Sequence, residues 1–324
     1  MSPAPKPVKI TVMGSFVVDL AFRTPALPGW GETITGSDFK LGPGGKGSNQ
    51  AVAAARLGAH VTFITKLGRD SFGDLARRTY AAEGIDSTHA SVTTEYPTGA
   101  ASVVVDQERG ENAIVVVPGA CFHITGDEIE RARTAIAASA VFLAQLETNL
   151  DAVEYGLKLA RELRVTTILN PAPALSRSSS GGVNERIYSL CDYITPNESE
   201  CAALTGLRAA TLEDARASAE MLLSRGARNA VITLGVQGAF VKNSAIAQHV
   251  PAFEAGPVVE TTGAGDAFNA GFAVALAEGR DVIAATRFAC AVAGIAVTRA
   301  GTTPAMPRRR EVEELLTTKG TPGT

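Results

Sequence analysis

The chain has 324 residues, of which 45% are hydrophobic and 19% are charged, so it can bury a large core. Its formal net charge is -3, and its basic run Arg308-Arg309-Arg310 is short and followed by glutamates, which argues against nucleic acid as the main partner. The four cysteines lie far apart without CxxC spacing, which predicts reduced thiols and neither disulfides nor a zinc site.

The amino-terminal segment and the hydropathy pattern bear on where the protein resides. Residues 1–9 are proline-rich and polar, without the apolar core of a signal peptide. No uninterrupted apolar stretch is long enough to span a bilayer. We therefore expect a cytoplasmic protein with no membrane partner.

Short apolar, β-branched runs alternate with helix-forming runs along most of the chain. The predicted strands are 8–13, 60–66, 141–143, 166–169, 193–195 and 230–234. The predicted helices are 48–57, 72–83, 151–163, 212–224, 266–278, 281–297 and 309–317. This alternation predicts an α/β fold, a three-layer αβα sandwich with a mainly parallel central sheet.

Two β-rich segments, 32–41 and 98–117, break this alternation, because neither leads at once into a helix. They predict a small antiparallel sheet that stands off the main layers as a lid; extra edge strands of the main sheet are the alternative. We expect the lid to comprise residues of about 16–42 and 98–117, within a single domain of residues 1–324. The segment 176–182, SRSSSGG, is predicted to be a flexible surface loop and not a domain linker.

The turn Gly263-Ala264-Gly265-Asp266 directly precedes a predicted helix. Unpaired N–H groups at a helix amino terminus attract negative charge, so a phosphoryl group is a natural ligand there. A carboxylate beside such a site is unfavourable unless it handles a proton, which indicates a catalytic base. An ordinary helix cap on a glycine-rich turn is the alternative.

A second glycine-rich segment, GPGGKGSN at 42–49, also precedes a predicted helix. It matches the dinucleotide pattern GxGxxG, but it does not follow the first strand, and no acid after the next strand is placed to hold a ribose hydroxyl. A Walker A loop fails because Lys40 stands where the leading glycine is needed. The segment is best interpreted as a polar platform for a polyhydroxylated substrate.

Polar residues follow several predicted strands, where α/β proteins place their ligands. Asp19 follows the first strand and could accept two sugar hydroxyls, or be an exposed loop residue. Asn197 and Glu200 lie three residues apart on one helix face, where they could orient magnesium-bound water and phosphate oxygens or form a capping pair. The hydroxyl and glycines of 233–238 suit a nucleotide.

Six short segments in one order resemble the motifs of the ribokinase-like family of sugar and nucleoside kinases, over about residues 8–316. These segments are GGKGSN at 44–49, QLE at 145–147, NPAP at 170–173, TPNE at 195–198, TLG at 233–235 and GAGD at 263–266. The resemblance implies an ATP-dependent sugar kinase that converts D-ribose to D-ribose 5-phosphate. The alternatives are a related kinase for fructose or 2-keto-3-deoxygluconate, and a non-catalytic sugar- or nucleotide-binding regulator.

The resemblance also implies roles for individual residues. Asp266 would be the general base, and the N–H groups of Gly263, Ala264 and Gly265 would stabilise the transferring phosphoryl group. The positions implied for the sugar are Asp19, Gly45, Lys46, Gly47, Ser48, Asn49 and Glu147. The positions implied for ATP and Mg²⁺ are Asn197, Glu200, Thr233, Leu234, Gly235, Val236, Gln237, Gly238, Gly265 and Cys290.

A monovalent cation, K⁺, and a homodimer formed through the β lid are further implications of the resemblance. The positions implied for K⁺ are Glu260, Thr262, Ala296, Arg299, Gly301 and Ala305. The chain departs from the family at Glu260, where Asp is usual, and at Ala305, where some members have Ser. It also has Val17 where many members have an Asn that contacts ribose.

Overall fold

A computed structural model of the chain describes residues 7–109, 112–174 and 184–319. The predicted loop at 176–182 lies outside these ranges. The strands are β1 Lys9–Met13, β2 Val17–Thr24, β3 Asp38–Gly44, β4 His60–Gly68, β5 Ala90–Thr93, β6 Thr98–Asp106, β7 Asn112–Gly119, β8 Val141–Gln145, β9 Thr166–Asn170, β10 Tyr193–Ile194, β11 Asn229–Thr233, β12 Ala239–Lys242 and β13 Ala247–Val250. The helices are α1 Lys46–Arg56, α2 Ser71–Glu83, α3 Gly126–Glu130, α4 Arg133–Ala137, α5 Leu150–Glu162, α6 Arg186–Ser189, α7 Glu198–Thr205, α8 Leu212–Ser224, α9 Ala264–Ala277, α10 Val282–Ala296 and α11 Arg309–Lys319.

In the described ranges, the central sheet has nine strands in the order β13-β12-β11-β10-β9-β8-β1-β4-β5. The seven strands from β11 to β5 pair in parallel, whereas β12 and β13 add an antiparallel edge. Parallel strands are joined by helices that cover the sheet, so their buried runs are uniformly apolar. The predicted mainly parallel sheet is confirmed.

Alternate residues of the sheet enter two separate cores, because successive side chains of a strand point to opposite faces. Ile10 and Val12 of β1 pack with α1, α2, α9, α10 and α11. Met13 packs with the helices from α3 to α8 on the other face. The helices therefore form one layer on each side of the sheet, and the predicted three-layer arrangement is confirmed.

A separate four-stranded sheet has the order β3-β2-β6-β7, which confirms the predicted small sheet. The prediction of β structure at 32–37 is wrong, because β3 begins at Asp38, whose partner is Arg23 near the end of β2. Ser37 still donates its N–H to the Arg23 carbonyl at 2.8 Å, but the ladder of paired residues starts only at Asp38. Asp19 lies inside β2, opposite Gly42 and Ala101, and not in a loop after β1.

Among the described residues, no helix is both long enough and apolar enough to cross a membrane.

Candidate active site

Asp266 lies in the first turn of α9, whose preceding residue Gly263 has a φ of 84°. This left-handed conformation favours glycine, and it turns the chain so that α9 begins at the carboxyl ends of the parallel strands. The Asp266 side chain is buried, with 5% of its surface exposed. The carboxylate is thus held inside the protein and does not act as an exposed helix cap.

Two side-chain amides of α1 hold the Asp266 carboxylate. Asn49 Nδ2 donates to Oδ2 at 3.0 Å, and Gln50 Nε2 donates to Oδ1 at 2.9 Å. Burial raises the pKa of Asp266, while the charge of Lys46 and the two amide hydrogen bonds oppose this rise. A carboxylate whose pKa is raised is a stronger base and is better suited to accept a proton.

Gln50 belongs to this site although the motifs in the sequence did not point to it. Its Nε2 also donates to Asn170 Oδ1 at 3.1 Å, and its Oε1 accepts from Gln145 Nε2 at 2.6 Å. Asn49 is fixed in turn by Thr303, whose hydroxyl donates to Asn49 Oδ1 at 2.7 Å. One signal in the sequence could have identified Gln50. It is a second amide directly after Asn49, in the GKGSNQ segment near the start of a predicted helix.

The backbone N–H groups at the start of α9 differ in their partners. The Ala264 N–H donates to the Thr261 carbonyl at 3.2 Å. The N–H groups of Gly263, Gly265 and Asp266 have no hydrogen-bond partner in the part of the chain that the structure describes. Unpartnered N–H groups at a helix amino terminus form a site for an anion.

Lys46 interacts electrostatically with three carboxylates of the candidate site. Burial alone would lower its pKa, but the charges of Asp266, Glu147 and Glu200 outweigh burial and raise the pKa above its ordinary value. Lys46 thus remains charged, and its charge favours the ionised forms of Asp266 and Glu200.

The sugar-binding positions predicted from the sequence lie in β2, at the start of α1 and in the turn after β8. Glu147 Oε2 accepts from Ser15 Oγ at 2.5 Å and from the Lys46 N–H at 2.9 Å. Asp19 accepts from Thr302 Oγ1 at 3.2 Å. Burial raises the pKa of Asp19 to about 6, with smaller contributions from the charges of Glu147 and Asp266. These carboxylates can accept hydrogen bonds from hydroxyl groups.

The glycines at the start of α1 permit close backbone contacts. Gly45 has a φ of 87°, and a Cβ there would lie 2.8 Å from the Val17 nitrogen. A Cβ on Gly47 would lie 2.6 Å from the backbone of Gly14. The Ser48 N–H donates to the Ser15 carbonyl at 2.9 Å. These contacts place Lys46 and Asn49 beside Asp19 and Glu147.

Asn197 and Glu200 form the capping pair that was the alternative prediction. Asn197 Oδ1 accepts from the Glu200 N–H at 2.8 Å, and Glu200 Oε2 accepts from the Asn197 N–H at 2.9 Å. Burial raises the pKa of Glu200 to about 7, with Lys46 opposing the rise and Asp266 and Glu198 adding to it. Asn197 therefore caps α7. The Glu200 carboxylate also interacts electrostatically with Lys46 and Asp266.

The segment after β11 forms a tight turn. The Leu234 N–H donates to the Gly238 carbonyl at 2.8 Å, and Gly235 and Gly238 have φ values of 52° and 97°. Val236 at its tip is 90% exposed, so the turn offers an open surface that also includes Thr233 and Gln237. Cys290 is buried in α10, and burial raises the pKa of its thiol to about 12.

The positions implied for K⁺ lie in two neighbouring segments joined by Glu260. Glu260 Oε2 accepts from the Gly301 N–H at 2.8 Å. The Ala296 carbonyl accepts from the Arg299 N–H at 3.2 Å, and the Arg299 guanidinium pairs with Glu311. Ala305 is buried in a 3₁₀ turn. Among the described residues, no group of three or more His, Cys, Asp or Glu could hold a metal ion.

The whole-chain comparisons agree with this geometry. A family model described as pfkB family carbohydrate kinase matches residues 8–309. The chain belongs to the pfkB family of carbohydrate kinases. The predicted resemblance to the ribokinase-like family and the predicted carbohydrate kinase activity are therefore confirmed.

Relatives named ribokinase or deoxyribokinase align with nearly the whole chain. The ribokinases of Haemophilus influenzae and Bacillus subtilis are 39% and 40% identical, over 95% of this chain and 98% and 99% of theirs. The deoxyribokinase of Salmonella typhi is 35% identical, over 95% of this chain and 98% of its own.

Solved structures of the pfkB kinase fold resemble this one closely. The ribokinase of Thermotoga maritima has a TM-score of 0.85 at 35% identity, covering 96% of this chain and 99% of its own. The Arabidopsis thaliana ribokinase, complexed with ribose and ATP, has a TM-score of 0.85 at 29% identity, covering 96% of this chain and 98% of its own.

Proposed function

We propose that this carbohydrate kinase transfers the γ-phosphoryl group of ATP to the primary hydroxyl of D-ribose and forms D-ribose 5-phosphate. The observation that carries the proposal is the buried Asp266 carboxylate, held by Asn49 and Gln50 beside unpartnered N–H groups. The names of the similar ribokinases and the ribose and ATP bound by the Arabidopsis enzyme support this pair of substrates.

In the proposed reaction, Asp266 is the general base. The primary hydroxyl oxygen of the sugar forms a bond to the γ-phosphorus while the bond to the β–γ bridging oxygen breaks and ADP leaves. Asp266 takes the hydroxyl proton, and its raised pKa favours this transfer. The amides of Asn49 and Gln50 keep the carboxylate oriented and oppose its protonation before the sugar binds.

The N–H groups of Gly263 and Gly265, together with that of Asp266, are proposed to stabilise negative charge on the transferring phosphoryl group. Donors that already point at the site cost no reorganisation when charge develops. The Ala264 N–H, which was included in the sequence-based set, donates to Thr261, so its contribution requires that this bond open.

The sugar is proposed to lie between the small sheet and α1. Asp19 and Glu147 would accept its hydroxyls, and Lys46 and Asn49 would donate to it, with Gly45, Gly47 and Ser48 lining the backbone side. These side chains project from β2, the turn after β8 and the first turn of α1. Such a mixture of acceptors and donors suits a polyhydroxylated ligand.

The nucleotide and Mg²⁺ are proposed to lie toward Glu200 and the turn after β11. Mg²⁺ usually keeps several waters and binds one or two carboxylates plus phosphates, so Glu200 with Asp266 nearby fits better than a cage of protein ligands would. The ion would neutralise charge on the phosphates. The turn after β11, with Thr233, Leu234, Gly235, Val236, Gln237 and Gly238, is proposed for ATP, and Asn197 and Cys290 are proposed as further contacts.

Activation by K⁺ is proposed at the junction of Glu260 with Gly301, with the carbonyls of Thr262, Ala296 and Arg299 as further ligands. Ala305 offers only its backbone. A change in kcat when Na⁺ replaces K⁺ at constant ionic strength would support this site, and equal rates would contradict it.

Two further predictions from the sequence, the location of the protein and its assembly, remain proposals. We propose a cytoplasmic homodimer formed through the small sheet. Its edge strand β7 supports this interface, because Ile114, Val115, Val116 and Val117 are all at least half exposed.

Deoxyribose is the second candidate substrate. The deoxyribokinase of Salmonella typhi is 35% identical to this chain, and the buried Val17 offers no polar contact where many family members have Asn. ADP release should be measured with D-ribose, 2-deoxy-D-ribose, D-fructose and 2-keto-3-deoxygluconate. We expect the highest kcat/KM with D-ribose; faster turnover of any other sugar would contradict the assignment of ribose.

The Asp266→Asn variant tests the proposed base. We expect kcat to fall roughly 10²–10⁴-fold, the usual contribution of a general base, while sugar binding is retained. Asp281→Asn is the matched control, because Asp281 is a plain helix cap that accepts from two backbone N–H groups of α10. Equal activity of the two variants would show that Asp266 is not the general base.

A further inference from the structure

A groove of about 480 Å³ lies at the opposite end of the parallel strands from the candidate active site. Its lining residues are Arg161, Arg164, Val165, Thr166, Asp192, Tyr193, Arg228 and Asn229. Thr166, Tyr193 and Asn229 are the first residues of β9, β10 and β11. The active-site residues follow the other ends of these strands, so strands that rise roughly 3.3 Å per residue separate the two sites.

Three arginines and one aspartate determine the charge of this groove. Asp192 Oδ2 accepts from the N–H and the hydroxyl of Thr167, at 3.0 and 3.2 Å. Asp192 Oδ1 accepts from Arg228 Nη1 at 2.9 Å and lies 3.7 Å from Arg161 Nη1. The Asp192 carboxylate thus lies close to two guanidinium groups, and with Arg164 the lining has three arginines against one carboxylate, so the groove carries a net positive charge.

The arginines are only partly satisfied by this carboxylate. Arg161 Nη1 is buried and makes no hydrogen bond to any residue that the structure describes. Arg164 forms no ion pair within the described ranges. A buried guanidinium nitrogen without an acceptor, such as Arg161 Nη1, is costly, and a second anion in the groove would supply an acceptor.

Arg164 has a φ of 61° and is the one non-glycine residue with positive φ in the described part of the chain. It follows the end of α5, where its N–H donates to the Arg161 carbonyl and the Val165 N–H donates to the Ala160 carbonyl. This is the Schellman ending, whose left-handed residue is usually glycine.

Within the described ranges, four other helices end with the same pair of hydrogen bonds, and each has glycine at the left-handed position. These glycines are Gly58, Gly84, Gly226 and Gly279. A side chain in this conformation costs free energy that glycine does not. The presence of arginine at the one such position that lines the groove indicates a role for its guanidinium.

We propose that this groove binds the phosphate group of a small molecule. Guanidinium groups donate pairs of parallel hydrogen bonds that match phosphate oxygens, and three of them around one anion give both charge and geometry. Arg161, Arg164 and Arg228 are the donors, and Asp192 orients two of them.

Titration calorimetry with inorganic phosphate, at constant ionic strength balanced with sodium chloride, tests this site. We expect Arg164→Gly to weaken phosphate binding about tenfold or more, because one charged donor pair is lost. The melting temperature without phosphate should stay equal or rise, because glycine relieves the backbone strain. Arg228→Ala should also weaken binding.

Two further variants distinguish phosphate binding in this groove from phosphate binding elsewhere on the protein. Lys46→Ala alters the candidate active site and should leave phosphate binding in the groove intact. Arg310→Ala removes an exposed charge from α11 and should leave phosphate affinity unchanged. The proposal is overturned if Arg164→Gly and Arg228→Ala bind phosphate as tightly as the wild type, or if Lys46→Ala abolishes all phosphate binding.

Discussion

The pKa of Asp266 is the result of two opposing effects, burial and the interactions with neighbouring side chains. Burial favours its neutral form, whereas Lys46, Asn49 and Gln50 favour its charged form. A base must be charged before the reaction and neutral after it, so neither influence can dominate. Lys46 and the two amides therefore lower the pKa of Asp266 and so help to set the pH range in which the proposed base is charged.

Replacing Gln50 tests this balance. Gln50→Leu removes one hydrogen bond to the Asp266 carboxylate and raises the pKa of Asp266 further. We expect the acidic limb of the kcat–pH profile to move to higher pH by roughly one unit or more, since a hydrogen bond to a charged group is worth about 1.5–3 kcal/mol. An unmoved limb, in a variant with wild-type far-ultraviolet circular dichroism, would argue against this role for Gln50.

Glu200 should make stability depend on pH. Its pKa is raised from 4.5 to about 7, so the folded protein holds this proton more tightly than the unfolded chain. The resulting stabilisation is present below pH 4.5 and is lost as the pH rises through 7.

Glu200→Gln should therefore increase the free energy of unfolding at pH 8 by about 1–3 kcal/mol, and the gain should vanish near pH 4.5. Urea denaturation at the two pH values measures it. A gain of the same size at both pH values would contradict the assigned cause, because ionisation would then play no part.

Helix α1 depends on how closely its first turn approaches β1. A Cβ on Gly47 would lie 2.6 Å from the carbonyl carbon and the Cα of Gly14 and from the Ser15 nitrogen. These are backbone atoms that cannot rotate away. The approach aligns Lys46, Asn49 and Gln50 with Glu147 and Asp266.

Gly47→Ala should displace the start of α1. We expect a loss of about 1–3 kcal/mol in the free energy of unfolding, as for other overpacked sites, together with a fall in kcat/KM. Gly42→Ala in the adjoining strand is the matched control, because nothing lies within 4 Å of a Cβ there. If both variants behaved like the wild type, close packing of α1 on β1 would not position the site.

Two sheets of different exposure make up the molecule as a whole. The central sheet is covered by helices on both faces, whereas β7 ends the small sheet with an open edge and exposed apolar side chains. An exposed apolar edge strand invites pairing with another chain. A second copy of this chain, bound through β7, would cover it in the proposed homodimer.

The double variant Val115→Asp, Val117→Asp should convert that dimer to monomer, because like charges would face each other across the interface. Sedimentation velocity gives the molecular mass. Leu212→Asp changes an exposed apolar position on α8 and should leave the mass unchanged. A wild type that sediments as a monomer, or a double variant that stays dimeric, would contradict this interface.

The local pattern of apolar residues predicted the strands and helices that are buried within one layer of the sandwich. The strands β1, β4, β8, β9 and β11 and the long helices are of this kind. The start of β3 could not be predicted, because it is set by the pairing of Asp38 with Arg23 of β2 and not by a local pattern. Similarly, β12 and β13 carry no signal that distinguishes antiparallel pairing from a further parallel strand.

The sequence by itself determined the α/β class, the small sheet, the family and the turn at 263–266, because these depend on periodicity and on motifs of adjacent residues. Tertiary structure alone decided that Gln50 holds Asp266, that Ala264 is engaged with Thr261, and that Asp19 lies within a strand. The Gln50–Asp266 contact and the pairing of Asp19 with Gly42 and Ala101 join residues that are distant in sequence, so no local pattern encodes them. The Ala264–Thr261 bond spans only three residues, but it depends on the backbone conformation of the turn, which the motif does not specify. The groove at Arg164 likewise forms only because β9, β10 and β11, which are distant in sequence, lie side by side in the sheet.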